Sequence, residues 1–143
     1  MVIRRIDSLG YQIGLLGRLY DRHVQDALKN FGVAPGQFAP LVMLFEQDGL
    51  TQADLCRRIN VEQPTMANTL GRMERDGLIK RKADTADKRR SLVLLTPKAK
   101  DVRAKIMESV RAVSNRAMTN FSAAEQDEIF RLLAQMADNL KSY

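Results

Sequence analysis

Across residues 9–31 the apolar positions are Leu9, Ile13, Leu16, Tyr20, Val24, Leu28 and Phe31, spaced 4, 3, 4, 4, 4 and 3 apart. That is the repeat of one helix face. It predicts an amphipathic helix of about six turns, stopped by Gly32. Phe38, Leu41, Val42, Leu44 and Phe45 predict a second helix beginning near Pro35. Pro40 is tolerated there only in the first turn, and Asp48-Gly49 ends it. Thr51-x-x-Asp54 has the layout of a capping box, with Asp where Glu is more usual. It opens a short third helix with Leu55 and Ile59 inward and Asn60 at its end. Val61 and Glu62 alone separate it from a fourth helical run, residues 63–76. That run has Pro64 in its first turn, an inner face of Met66, Leu70 and Met73, and Gly77 as its stop. Two helices joined this tightly fit helix-turn-helix geometry, although a plain helical corner has the same spacing.

Beyond Gly77 the helical period is lost. Residues 78–82 and Ser91–Leu95 are short strand-like runs around a polar, charged stretch at residues 83–90, which predicts a β-hairpin with a long basic tip. Thr96 as N-cap and Pro97 behind it start another helix, reaching about Asn120. Its apolar face is Val102, Ile106, Val110, Val113, Ala117 and Phe121. Ser122-x-x-Glu125 is a full capping box. The last helix carries Ile129, Leu133, Met136 and Leu140, widened by Phe130, Leu132 and Ala137. The expected fold is mainly α (α+β): a winged helix-turn-helix with a small β-hairpin wing and N- and C-terminal dimerisation helices. Residues 1–143 form one domain, with the winged core at 34–96. The helices of 1–33 and 97–143 take more than half of the 143 residues. Their wide apolar faces need a partner surface, so a homodimer is expected.

Charge sharpens this picture. The 23 Lys+Arg outnumber the 17 Asp+Glu, and the excess is uneven. Residues 1–50 hold 5 basic and 5 acidic groups, residues 51–96 hold 10 and 6, and residues 97–143 hold 8 and 6. Lys80, Arg81, Lys82, Lys88, Arg89 and Arg90 crowd the hairpin against Asp84 and Asp87. Such a cluster is a footprint for a polyanion, and charge of this kind also keeps an edge hairpin from aggregating. A single cysteine, Cys56, and a single histidine, His23, exclude an internal disulfide framework and Cys-rich or multi-His metal sites. Cys56 reads as a small buried apolar residue. The chain shows no Gly-rich phosphate loop and no nucleophile elbow, so neither an enzyme nor a cofactor is expected. No apolar stretch approaches the ~20 residues of a membrane span. The first seven residues lack the apolar run of a secretory signal. The expected setting is the cytoplasm, with no membrane partner.

The candidate chemistry is that of double-stranded DNA. Gln63, Thr65, Asn68, Thr69 and Arg72 lie opposite the Met66/Leu70/Met73 stripe. Gln and Asn pair bidentately with adenine, Arg with guanine, and Thr methyls touch thymine. The N-terminus of that helix offers free N–H groups to a phosphate. Lys82, Lys88, Arg89 and Arg90 arm the hairpin, where an arginine can enter a narrow minor groove. A winged helix can also serve as a protein-interaction module, an anti-activator or assembly adaptor that binds no DNA. The basic tip favours phosphate.

The run Asp87-x-Arg89, then Arg90-Ser91-Leu92-Val93-Leu94 and Leu95-Thr96, resembles the wing motif of the MarR family of transcriptional regulators. Leu50-Thr51-Gln52-Ala53-Asp54-Leu55 and Arg72-Met73-Glu74-Arg75-Asp76-Gly77-Leu78-Ile79 are similar to the same family, and the resemblance covers nearly the whole chain. It implies a homodimer on a palindromic operator, most often a repressor released by a small aromatic or phenolic effector. It implies that Arg89 is the wing arginine of the minor groove and Asp87 the acidic residue that fixes the wing. Gln63, Pro64, Thr65, Asn68 and Arg72 match positions on the recognition helix. An effector cleft is implied between the dimerisation helices and the DNA-reading core. Tyr11, Arg18 and His23 on the first helix are its candidate ligand contacts, with Phe38, Met43 and Phe45 on the second. One family branch senses peroxide through a cysteine in the first helix, and residues 1–50 here contain none.

Overall fold

In the computed structural model, which describes residues 4–141, helix α1 (Leu9–Leu28) begins where the Ser8 hydroxyl accepts the Tyr11 backbone N–H at 3.3 Å. It tightens into a 3-10 turn over Lys29–Phe31 and stops at Gly32, whose φ is 69°. Helix α2 (Phe38–Glu46) starts three residues later than Pro35. The reason is Gly36, held at φ 85°, a left-handed conformation that no α-helix accommodates. The turn before α2 is instead organised by the buried Gln37. Its Oε1 accepts the Ala34 N–H at 2.9 Å and its Nε2 donates to Asp76 Oδ2 at 2.8 Å.

Strand β1 (Leu50–Thr51) leads directly into helix α3 (Gln52–Ile59). Thr51 Oγ1 accepts the Asp54 N–H at 3.1 Å, while the Thr51 N–H donates to Asp54 Oδ2 at 3.0 Å. The shorter Asp therefore closes the capping box. Asn60 ends α3 at φ 59°. Helix α4 (Gln63–Arg75) follows after the expected two residues, with Pro64 in its first turn and Gly77 beyond it at φ 75°.

Strands β2 (Ile79–Ala83) and β3 (Ser91–Leu95) pair antiparallel, Ile79 opposite Leu95 and Ala83 opposite Ser91. β2 starts one residue later than the pattern indicates. Leu78 is not a ladder residue: its carbonyl accepts the Thr96 N–H at 3.1 Å. The third strand, β1, pairs with β3 through Leu50 and Val93, giving the order β1-β3-β2. Thr96 Oγ1 donates to the Gly77 carbonyl at 2.6 Å and accepts the Ala99 N–H at 3.2 Å. One side chain thus starts helix α5 (Pro97–Ala117) and ties it to the end of α4. Asp48 does similar work across the sheet, its Oδ1 accepting the Leu95 N–H at 2.9 Å.

The core gathers Leu41, Leu44, Leu55, Met66, Leu70, Met73, Leu78, Ile79, Val93 and Ile106, joined by Val24 and Leu28 from α1. Each such side chain contributes roughly 1.5–3 kcal/mol on full burial. The helix-turn-helix, the sheet and the middle of α5 therefore form one body, and the Tyr20 hydroxyl meets Ser114 Oγ at 2.8 Å where α1 crosses α5.

Two ends of that body are uncovered. On α1 the predicted stripe is buried only at Val24 and Leu28, while Leu9, Ile13 and Leu16 are exposed. Helix α5 ends earlier than expected, and Asn120 takes a left-handed φ of 70°. That turn carries Phe121 into solvent. Helix α6 (Ala123–Lys141) begins at its capping box, with the Ser122 N–H donating to Glu125 Oε2 at 2.8 Å and Ser122 Oγ accepting the Glu125 N–H at 3.2 Å. No described residue of α6 is buried, and Phe130, Leu132, Leu133 and Leu140 all face solvent. No described helix is long and apolar enough to cross a membrane.

Candidate nucleic-acid interface

The face of α4 that remains in water is polar. Gln63, Pro64, Thr65, Asn68 and Arg72 are exposed and Thr69 is half-buried, while Met66, Leu70 and Met73 are buried against the core. The predicted division of the helix therefore exists. The Thr69 hydroxyl is committed to the Thr65 carbonyl at 3.0 Å, so it is the least available donor of the group.

The wing tip is built by its own two carboxylates. The Asp84 N–H donates to the Arg90 carbonyl at 2.9 Å and closes the loop. Asp84 Oδ1 accepts the Ala86 N–H at 2.9 Å. Asp87 Oδ1 accepts the Arg89 backbone N–H at 3.0 Å and Arg89 Nε at 3.3 Å. The Asp87 carbonyl accepts the Arg90 N–H at 3.0 Å. Asp side chains that bond the backbone two residues on fix a turn without a ladder. Arg89 is held at its base yet its side chain is 93% exposed, so the guanidinium projects from an ordered turn. Lys82, Lys88 and Arg90 are exposed around it.

Between wing and helix lies a junction at Gln52 that local spacing does not record. Gln52 Nε2 donates to Gln63 Oε1 at 2.9 Å, and Arg81 Nη1 donates to Gln52 Oε1 at 3.5 Å. The start of α3, the start of α4 and strand β2 thus meet at one side chain. Arg57, Arg81 and Arg90 line an open basic cleft there. Strand alternation holds the signal for Arg81: it shares a face with the buried Ile79, and Lys80 and Lys82 share the other. The Thr51 bonds, backbone first, with Arg57 adding to them, hold the Asp54 carboxyl below the usual carboxylate range. It is thus an ionised cap, paired with Arg57, on the wall of that basic cleft.

The effector candidates are scattered. His23 lines a cleft of about 220 Å³ between α1 and α5, with Leu16, Leu19, Tyr20, Val113 and Arg116. Tyr11 and Arg18 are exposed on α1 outside that lining. Phe45 is in the core beneath the Arg103 guanidinium, 5.6 Å from its ring centre, and Phe38 lines a separate cleft beside Val33 and Gly36.

A family model described as the MarR family matches residues 33–91, the stretch that contains α2 through the wing. A crystal structure from Pseudomonas aeruginosa, described as that of a probable transcriptional regulator, is 30% identical, covers 93% of this chain and 99% of its own, and superposes with a TM-score of 0.82. The chain belongs to the MarR family. An HTH-type transcriptional repressor of Mycobacterium bovis is 28% identical over 131 residues, 92% of this chain and 94% of its own. A MarR-family structure from Listeria monocytogenes, solved with a 26mer DNA, covers 93% of this chain and 89% of its own. It superposes with a TM-score of 0.87 at 24% identity, a likeness in fold. The MarR winged helix is thus α3, α4 and the β2–β3 hairpin, and the long helices flank it.

Proposed function

We propose that this MarR chain is a transcriptional regulator, acting as a repressor, that reads a palindromic DNA operator as a homodimer. The observation that carries the reading is the junction at Gln52. It sets the polar face of α4 and the basic strand of the wing side by side around one side chain. A groove-reading helix and a cationic hairpin so joined suit a major groove and the minor groove next to it. The family match favours this reading over a protein-docking module.

In this reading residues 34–96 read DNA, with Gln63, Pro64, Thr65, Asn68, Thr69 and Arg72 in the major groove. Lys82, Lys88, Arg89 and Arg90 meet the backbone or the minor groove, and Asp87 shapes the tip. Residues 1–33 and 97–143 pair two chains through the exposed apolar faces of α1 and α6. A small aromatic effector would enter beside α1, and His23 and Arg116 are the polar groups best placed for an anionic one. Tyr11 and Arg18 would reach it only if the partner copy completes the cleft. The setting is the cytoplasm, with the DNA.

The reading is tested by titrating the full chain with random-sequence duplex at several salt concentrations. Phosphate contacts release counterions, so log K should fall linearly with log[salt] with a slope of about −0.9 for each phosphate neutralised. Affinity indifferent to salt would overturn it.

A further inference from the structure

We infer that Gln52 is a positioning residue for base readout: it fixes which way the Gln63 amide faces, and with it the hydrogen-bonding edge that α4 offers to a base. The inference rests on the reading of α4 as the recognition helix. Gln52 stands at the first position of α3 and Gln63 at the first position of α4. Gln52 Nε2 donates to Gln63 Oε1 at 2.9 Å and lies 3.4 Å from the Gln63 backbone carbonyl, while its Oε1 accepts from Arg81 at 3.5 Å. A guanidinium has donors and no acceptor, and a backbone carbonyl accepts and cannot donate. One orientation of the Gln52 amide satisfies both neighbours, oxygen toward Arg81 and nitrogen toward α4.

The consequence passes to Gln63. It must turn its oxygen toward Gln52, because a flipped amide would set two NH2 groups against each other. Gln63 then keeps both Nε2 hydrogens and one Oε1 lone pair for a ligand. That is the donor-acceptor pair adenine matches with N7 and N6–H. Gln63 is otherwise an exposed side chain at a helix end, free to present its amide in either sense and ordered at a cost only on binding. Arg81 thus acts on the base at second hand, from the wing strand, through Gln52.

The experiment compares the full-length wild type, Q52A, Q63A, the double variant and Q52E. Each is titrated against duplexes carrying every single base-pair change in a site selected by the wild type. Q63A should abolish an adenine preference at one base pair per half-site, a discrimination of about 5- to 150-fold. Q52A should reduce discrimination at that same base pair by about 2- to 10-fold and leave the other positions alone. The double variant should match Q63A, since the two residues act as one unit. In Q52E the carboxylate only accepts, so Gln63 must turn its nitrogen inward, and the preference at that base pair should change identity even as affinity falls uniformly. In the free protein, the Gln52 side-chain NH2 resonances should move in Q63A, a readout that involves no DNA. A Q52A profile equal to wild type, a uniform loss at all positions, additivity in the double variant, or unmoved NH2 resonances would each overturn the inference while the regulator reading stands. A wild type that selects no sequence would overturn that reading and the inference with it.

Discussion

On the proposed reading, Asp87 is a residue that electrostatics alone would count against DNA binding and that the shape of the wing favours. A carboxylate at a basic tip repels phosphate, yet here it accepts two hydrogen bonds from Arg89. The ion pair itself is exposed and worth ~0–1 kcal/mol, so its effect lies in ordering the tip before DNA arrives. Asp87→Asn should leave the melting temperature nearly unchanged and weaken operator affinity. Tighter binding by the variant, titrated at matched salt, would mean that charge outweighs shape. Arg89→Ala should weaken binding on every sequence and flatten its salt dependence. Asn68→Ala and Arg72→Ala should instead each cost ~1–3 kcal/mol at their own base pair, measurable with single-base operator variants. Asp54 gives a pH signature. Its carboxyl is held low by the Thr51 bonds first and by Arg57 after them. The stability it contributes is therefore full above the usual carboxylate value of about 4. It is lost as pH falls through the lowered value. Urea unfolding between neutral pH and pH 3 should show a shallower acid decline for Asp54→Asn than for wild type. The caps, Arg89 and the exposed face of α4 were legible because each follows from local spacing. The pairings of Gln52 with Gln63 and Arg81, and of the buried Gln37 with Asp76, were not, because the partners lie 11, 29 and 39 residues apart, and local pattern carries no record of such pairs.

At the scale of elements, boundaries followed the chemistry of single residues. Helix α2 begins late because Gly36 is left-handed, which no hydrophobic period records. Strand β1 has two residues, too short for alternation, and exists only because β3 offers an edge. The period of 3.6 draws an apolar stripe along α1 and along α6 but does not say what covers either. Within one chain much of both stripes is bare: Leu16 is 59% and Leu133 47% exposed. A second copy would cover them. Ile13→Asp combined with Leu133→Asp should therefore leave the core intact, since neither side chain is buried in it, and yield a monomer by sedimentation. Wild type should sediment at about twice 16.2 kDa at micromolar concentration. Leu70→Ala sits at the other extreme: fully buried, it should cost roughly 2–5 kcal/mol of folding stability, read from urea unfolding.

For the whole molecule, charge and symmetry belong together. Lys80, Arg81, Lys82, Lys88, Arg89 and Arg90 gather on the wing hairpin and the uncovered apolar faces lie on α1 and α6, so pairing through the latter would present two copies of the former to one duplex. A two-fold pair of recognition helices dictates a two-fold site whose half-sites are about one helical turn, 10–10.5 bp, apart or a multiple of it. The most direct test of this account is selection of bound sequences from a random duplex pool by the full-length chain. The predicted result is a palindrome with that spacing, in which Arg72→Ala changes the preferred bases symmetrically in both half-sites. Enrichment of an asymmetric site, or no enrichment at a salt concentration where random duplex still binds, would contradict it.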